Sequence, residues 1–175
     1  MKNNIRIIGV GLALMAGILL VSGVAWAQAT ETPITIRVVS CEDLAEPERE
    51  WVDEDGVRHV RNELYRCWFR RDMVGKILAW ASYDRDPVNG YYFEHGYSTF
   101  TGRIFGEETW AIERYTLEGT RIDGVWHYTS ESRMHLENGG LIRLSGAWKA
   151  GERLIMSGTL LKTPGGAKRN GPRSK

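Results

Sequence analysis

The sequence predicts an all-β protein, an antiparallel meander of about eight strands closed into a barrel, with a β-sandwich as the alternative closure. Three observations predict it. Apolar and polar residues alternate with period two in one segment after another. Turn residues separate these segments at regular spacing. No stretch after residue 27 carries a strong helical period. The clearest instance runs from Gly124 to Lys162. There Trp126, Tyr128, Met134 and Leu136 share one face with Ser130 and Ser132, opposite His127, Thr129, Glu131, Arg133, His135 and Glu137. Asn138-Gly139-Gly140 turns the chain into Ile142, Leu144 and Trp148. Lys149 to Glu152 turns it again into Leu154, Met156 and Leu160.

Taken in order, residues 1–27 read as a secretory signal peptide. Lys2 and Arg6 supply the positive start, Ile7 to Val24 the apolar run, and Ala25-Trp26-Ala27 the small-x-small cleavage pattern, so the mature chain begins near Gln28. The rival is an uncleaved anchor, because the apolar run is about as long as a membrane helix; the small residues before Gln28 favour cleavage. In either case the folded part is exported, and nothing after the leader is apolar for long enough to span a membrane.

Ile34 to Ser40 reads as the first strand, with Ile34, Ile36 and Val38 on one face. Glu42 to Glu50 is acidic and broken by Pro47, leaving room for at most one helical turn with Ser40 as N-cap. Trp51-Val52, the turn 53–56 and Val57 to Val60 form a small hairpin. Leu64 to Arg71 follows, with Tyr65, Cys67 and Phe69 in phase, and then Val74 to Tyr83. Pro87 and Gly90 break the chain before Tyr91 to Tyr97, an aromatic stretch placed at a barrel mouth. Ser98 to Phe105 carries Phe100 and Ile104 on one face. Glu108 to Leu117 is read with Trp110 and Ile112 inward, opposite Glu113 and Tyr115.

Long consecutive antiparallel strands close on themselves to hide their edges, and about eight of them enclose an interior that side chains or one small ligand can fill. In shape this architecture resembles the calycin or lipocalin-like barrels and the allene oxide cyclase-like barrels. The Gly-x-Trp that lipocalins usually carry near the first strand is absent from Ile34 to Ser40. The resemblance therefore implies a barrel and transfers no site residue.

Cleavage removes two of the 23 basic residues and none of the 22 acidic ones, leaving one domain of ordinary size. The tail 163–175 holds four more basic residues and no acid, so the body 28–162 carries 17 basic against 22 acidic. A mildly acidic body argues against nucleic acid as its main partner. The tail has no apolar periodicity and reads as disordered. Cys41 and Cys67 are the two cysteines, an even number in an exported chain, and are expected to form a disulfide closing a loop of about 25 residues.

No nucleophile elbow, phosphate loop or zinc-helix motif is present, so no catalytic residue, metal or cofactor is expected. The His127 to Glu137 polar face reads as solvated, since zinc needs three or four convergent ligands. Ligand-binding candidates come from the aromatic mouth and the inner faces: Tyr92, His95, Tyr97, Phe100, Trp110, Trp126, Tyr128, Met134 and Trp148. The functional expectation is a non-enzymatic exported barrel that binds a small apolar or amphipathic molecule. The first alternative is a packed envelope interaction module with no cavity, its protein partner unspecified. The second is a cyclase- or isomerase-type enzyme, which a titratable group of shifted pKa in a cavity favours.

Overall fold

The computed structural model describes residues 29–162. The expected signal peptide and the basic tail lie outside the described residues. Nine strands hold most of the described residues: β1 (Thr30–Ala45), β2 (Arg49–Val52), β3 (Arg58–Arg71), β4 (Met73–Asp86), β5 (Tyr91–Ile104), β6 (Glu107–Ile122), β7 (Val125–Leu136), β8 (Leu141–Lys149) and β9 (Ile155–Lys162). Consecutive strands from β2 to β9 pair antiparallel, and β1 joins β9 to β3. The pairing is a ring, which distinguishes a barrel from a sandwich. β2 lies on the same edge of β3 as β1 does, since Ala45 pairs with Leu64 and Arg49 with Arg61. The two are one stave interrupted at 46–48, so the ring has eight staves. Among the described residues no helix is long and apolar enough to cross a membrane.

The acidic stretch after Cys41 corrects one expectation. It is not a helical turn: β1 runs on to Ala45, with Ser40 opposite Trp68 and Glu42 opposite Arg66. Pro47 is the reason, because proline disfavours the helical region for the residue before it. The Glu42 carboxylate also accepts a hydrogen bond from Arg66 at 3.2 Å.

The barrel closes unevenly. β1 pairs with β9 over Thr30–Arg37 and with β3 over Ile36–Ala45, so the two ladders overlap only at Ile36 and Arg37. The end holding the β3–β4, β5–β6 and β7–β8 turns is the closed one, because Thr35 of β1 carries the seam past Arg71 by bonding Asp72 through its N–H at 2.7 Å and its carbonyl at 3.2 Å. Its interior is packed with Ile34, Ile36, Met73, Phe100, Met134, Ile142 and Leu160, all fully buried. At the other end β1 parts from β9 after the Val38 N–H bonds to the Leu154 carbonyl at 3.1 Å. That half is the open one.

Cys41 and Cys67 stand directly opposite each other on β1 and β3 and are joined by a disulfide. The bridge spans 26 residues and sits on the only ladder that ties β1 to the barrel in the open half. Replacing both cysteines by serine is expected to lower stability by about 3 kcal/mol. Urea unfolding of the oxidised and the double-serine proteins measures the difference.

The β2–β3 hairpin is fastened by one histidine. His59 places Nε2 at 2.9 Å from Asp53 Oδ2 and Nδ1 at 2.8 Å from Asp84 Oδ1, while its ring stacks on Trp51 at 4.7 Å. The hydrogen bond to Asp53, and then that to Asp84, raise its pKa above the ordinary 6.5. A raised pKa means that the native state binds the proton more tightly. The contribution is complete below pH 6.5 and is lost as pH rises through the folded value. His59→Gln is expected to lower the melting temperature at about pH 5.5 and to have little effect at about pH 9. Thermal unfolding across that range checks this, and an equal loss at both ends contradicts it.

Candidate functional site

The inward face of the open half carries polar groups where the closed half carries only apolar ones. Residues that pair across a ladder share a face. Phe100 of β5 is inward and pairs with Ala111 of β6, so Ala111, Glu113, Tyr115 and Leu117 all point into the barrel. The same ladder places Glu94, Gly96 and Ser98 on the inner face of β5. Around them lies a cavity of about 310 Å³, walled by Val38, Leu117, Leu154 and Met156 as well as by both cysteines.

Glu113 forms the floor. It is buried and accepts hydrogen bonds from Ser98, directly opposite on β5, and from Ser132 on β7. Burial raises its pKa from the ordinary 4.5, and the two serine hydroxyls oppose that shift without cancelling it. Glu94 forms the wall and is also buried. Tyr92 donates to its Oε2, Tyr115 donates to its Oε1 at 2.8 Å, and the Tyr65 hydroxyl lies 3.2 Å from Oε1 and 2.6 Å from the Tyr115 hydroxyl. Burial first, and then the charge on Glu94, push all three phenols above their ordinary pKa, so they keep their protons and act as donors.

Two glycines make this geometry available. A Cβ on Gly96 would stand 2.6 Å from the Tyr115 hydroxyl and 2.6 Å from the Trp80 carbonyl. The Tyr115 ring crosses β5 at that bare position on its way to Glu94. A Cβ on Gly119 would stand 2.8 Å from the Tyr128 ring, which lies across β6 in the same manner.

Above the cavity, aromatic rings line the mouth. Tyr83 and Tyr92 lie 5.5 Å apart, Tyr92 meets Tyr128 edge-on at 6.0 Å, and Tyr128 stacks between Trp126 at 6.1 Å and Trp148 at 5.4 Å. This outer chamber measures about 450 Å³ and shares Asp43, Glu63 and Leu117 with the inner cavity. Burial raises the Glu63 pKa, and the charges of Asp43 and Glu94 raise it further. Arg58 and Arg85 stand at the rim. Arg58 is paired with Glu50 at 2.7 Å, and Arg85 lies over Trp126 at 5.7 Å.

The nine candidates read from the sequence divide three ways. Tyr92, Trp126, Tyr128 and Trp148 meet at the mouth. Phe100 and Met134 are fully buried in the packed base, below the cavity. His95 and Tyr97, expected at the mouth, and Trp110, expected on the inner face, all face outward. Tyr97 is 52 % exposed and stacks on Trp80 on the outer surface, and Trp110 is 41 % exposed with Ile112 beside it. The reason is register. Phe100 opposite Ala111 fixes which alternate residues of β6 turn inward, and Trp110 and Ile112 belong to the other set.

The residues that build the polar cluster (Tyr65, Glu94, Ser98, Glu113, Tyr115 and Ser132) were absent from the sequence candidates. Tyr65 carried a signal, being in phase with Cys67 and Phe69. Glu113 and Tyr115 carried one only through the parity of the neighbouring strand. Glu131, Arg133 and His135 of the polar face point outward and are exposed. Comparison with known proteins finds no matching family model and no matching curated sequence.

Proposed function

We propose that this chain is an exported barrel that holds one small amphipathic molecule in its open half. The molecule's apolar part lies against Val38, Leu117, Leu154 and Met156, and its polar end reaches the cluster around Glu94. The observation that carries this reading is a cavity of about 310 Å³ with a fully hydrogen-bonded polar cluster inside it. Ligand sites commonly combine mostly apolar walls with a few converging polar groups. Export rests on the signal-like leader and agrees with the disulfide.

Titration with the neutral fluorescent probe N-phenylnaphthylamine tests the reading. The expected result is saturable one-to-one binding that Leu117→Trp, which fills the cavity, abolishes without lowering the melting temperature. Failure of the native chain to bind the probe, or undiminished binding by Leu117→Trp, would sink the proposal.

One observation favours a second reading as an enzyme of cyclase or isomerase type. Glu113 is a buried carboxyl on the cavity floor whose pKa is displaced toward neutrality, as a proton donor or acceptor requires. Binding that survives Glu113→Gln, with conversion of the natural ligand that does not, distinguishes this reading from simple carriage.

A further inference from the structure

We infer that the molecule this cavity selects is an organic cation, a protonated amine on an apolar body, with its ammonium held by Glu94 and the oxygens of Tyr65 and Tyr115, which line the cavity together. The inference rests on the ligand-binding reading above and names the ligand's class. It follows from a count of donors and acceptors on the wall. Tyr92 and Tyr115 each spend their single hydroxyl hydrogen on Glu94, and Tyr65 spends its own on Tyr115 or Glu94. Ser130 donates to the Thr116 carbonyl at 2.9 Å, and Ser98 and Ser132 are turned toward Glu113. What remains facing the cavity along the Glu94 wall is lone pairs. At the floor, burial favours a proton on Glu113, which stays between the carboxyl and one of its two serines. The surplus of acceptors is therefore concentrated at Glu94, Glu63 and Asp43.

Charge points the same way. Besides the floor residue Glu113, the inner cavity is lined by Asp43, Glu63 and Glu94 and by no lysine, arginine or histidine. The two arginines belong to the rim, where Arg58 is already paired with Glu50. A carboxylate or carbonyl group entering this space would find acceptors opposite its own lone pairs. An ammonium brings three donors and no acceptor, the complement of such a wall. Inside a low-dielectric barrel its attraction to Glu94 is stronger than in water. At the mouth, Tyr83, Tyr92, Tyr128 and Trp148 offer ring faces to a passing cation, which aromatic quadrupoles attract.

Three probes of equal chain length and different head group separate the possibilities: octylammonium, octanol and octanoate, titrated calorimetrically into the purified chain at about pH 7. The expected order places octylammonium at least about tenfold tighter than octanol, with octanoate the weakest. Glu94→Gln is expected to bring octylammonium to within about threefold of octanol. Should Glu94→Gln not fold, Glu63→Gln at the half-buried rim is expected to reduce the same preference by about threefold. Octanol equal to octylammonium, or octanoate the tightest, overturns the cation inference and leaves small-molecule binding intact. Binding of none of the three overturns both.

Discussion

Gly96→Ala is expected to lower stability by about 2–3 kcal/mol and to abolish ligand binding, although the substitution adds a single methyl group. The added Cβ would sit 2.6 Å from the Trp80 carbonyl, which belongs to the neighbouring strand, and 2.6 Å from the Tyr115 hydroxyl. The strand can yield only by loosening the β4–β5 ladder, and the ring only by leaving Glu94. The clash is with both at once, so the ring moves too, the carboxylate loses the Tyr115 bond, and a buried polar group is left short of a partner. Tyr115→Phe separates the two costs, because it removes the hydroxyl and keeps the ring. It is expected to lower stability by about 1–2 kcal/mol. Urea unfolding of both variants, with N-phenylnaphthylamine titration of each, measures the effects. A Gly96→Ala protein as stable as the native chain would mean that Tyr115 does not cross β5 at this position.

Glu113→Gln is expected to stabilise the protein at mildly alkaline pH by about 2 kcal/mol. The sign follows from burial. The folded protein holds the Glu113 proton more tightly than the unfolded chain, so the contribution is complete below the unfolded value of 4.5 and is lost as pH rises through the folded value. Glutamine has nearly the same shape, accepts from one serine through its oxygen, offers its amide hydrogens to the other, and never ionises. His59 and Glu63 also titrate with raised pKa, so the native chain loses stability with pH for more than one reason. The difference between native and Glu113→Gln isolates this group: it is expected to be small at about pH 5 and to widen toward about pH 8. Parallel curves would mean that Glu113 meets water.

The barrel was legible because alternation is a local property. Trp126, Tyr128, Met134 and Leu136 declare their face within one strand, and the Asn138 and Lys149 turns fix the next two. The disulfide was legible from the signal-like leader and from the count of two cysteines. The mouth was legible in part, since Tyr92 stands in an aromatic run, Tyr128 is in phase with Trp126, and Trp148 with Ile142 and Leu144. The polar cluster was not, for a physical reason. On β6 the larger apolar residues, Trp110 and Ile112, face outward, while the inner set includes Glu113. Hydrophobicity alone selects the wrong face there. Only the register with β5, with bulky Phe100 set against small Ala111, corrects it. Glu94 lies beside His95 in an aromatic run, and nothing in that run tells that three tyrosines from three strands converge on it. The end of β1 was hidden too, because acidic residues and Pro47 read as a break, whereas the stave continues through them along β3.

The central claim is that the open half of this barrel carries a small molecule, and native mass spectrometry of the chain purified from the cells that make it tests that most directly. The expected result is a reproducible mass excess over the chain, released by solvent extraction as one class of amphipathic compound. A bare mass from gently handled material, unchanged by extraction, would contradict the account and return the cavity to a feature of packing.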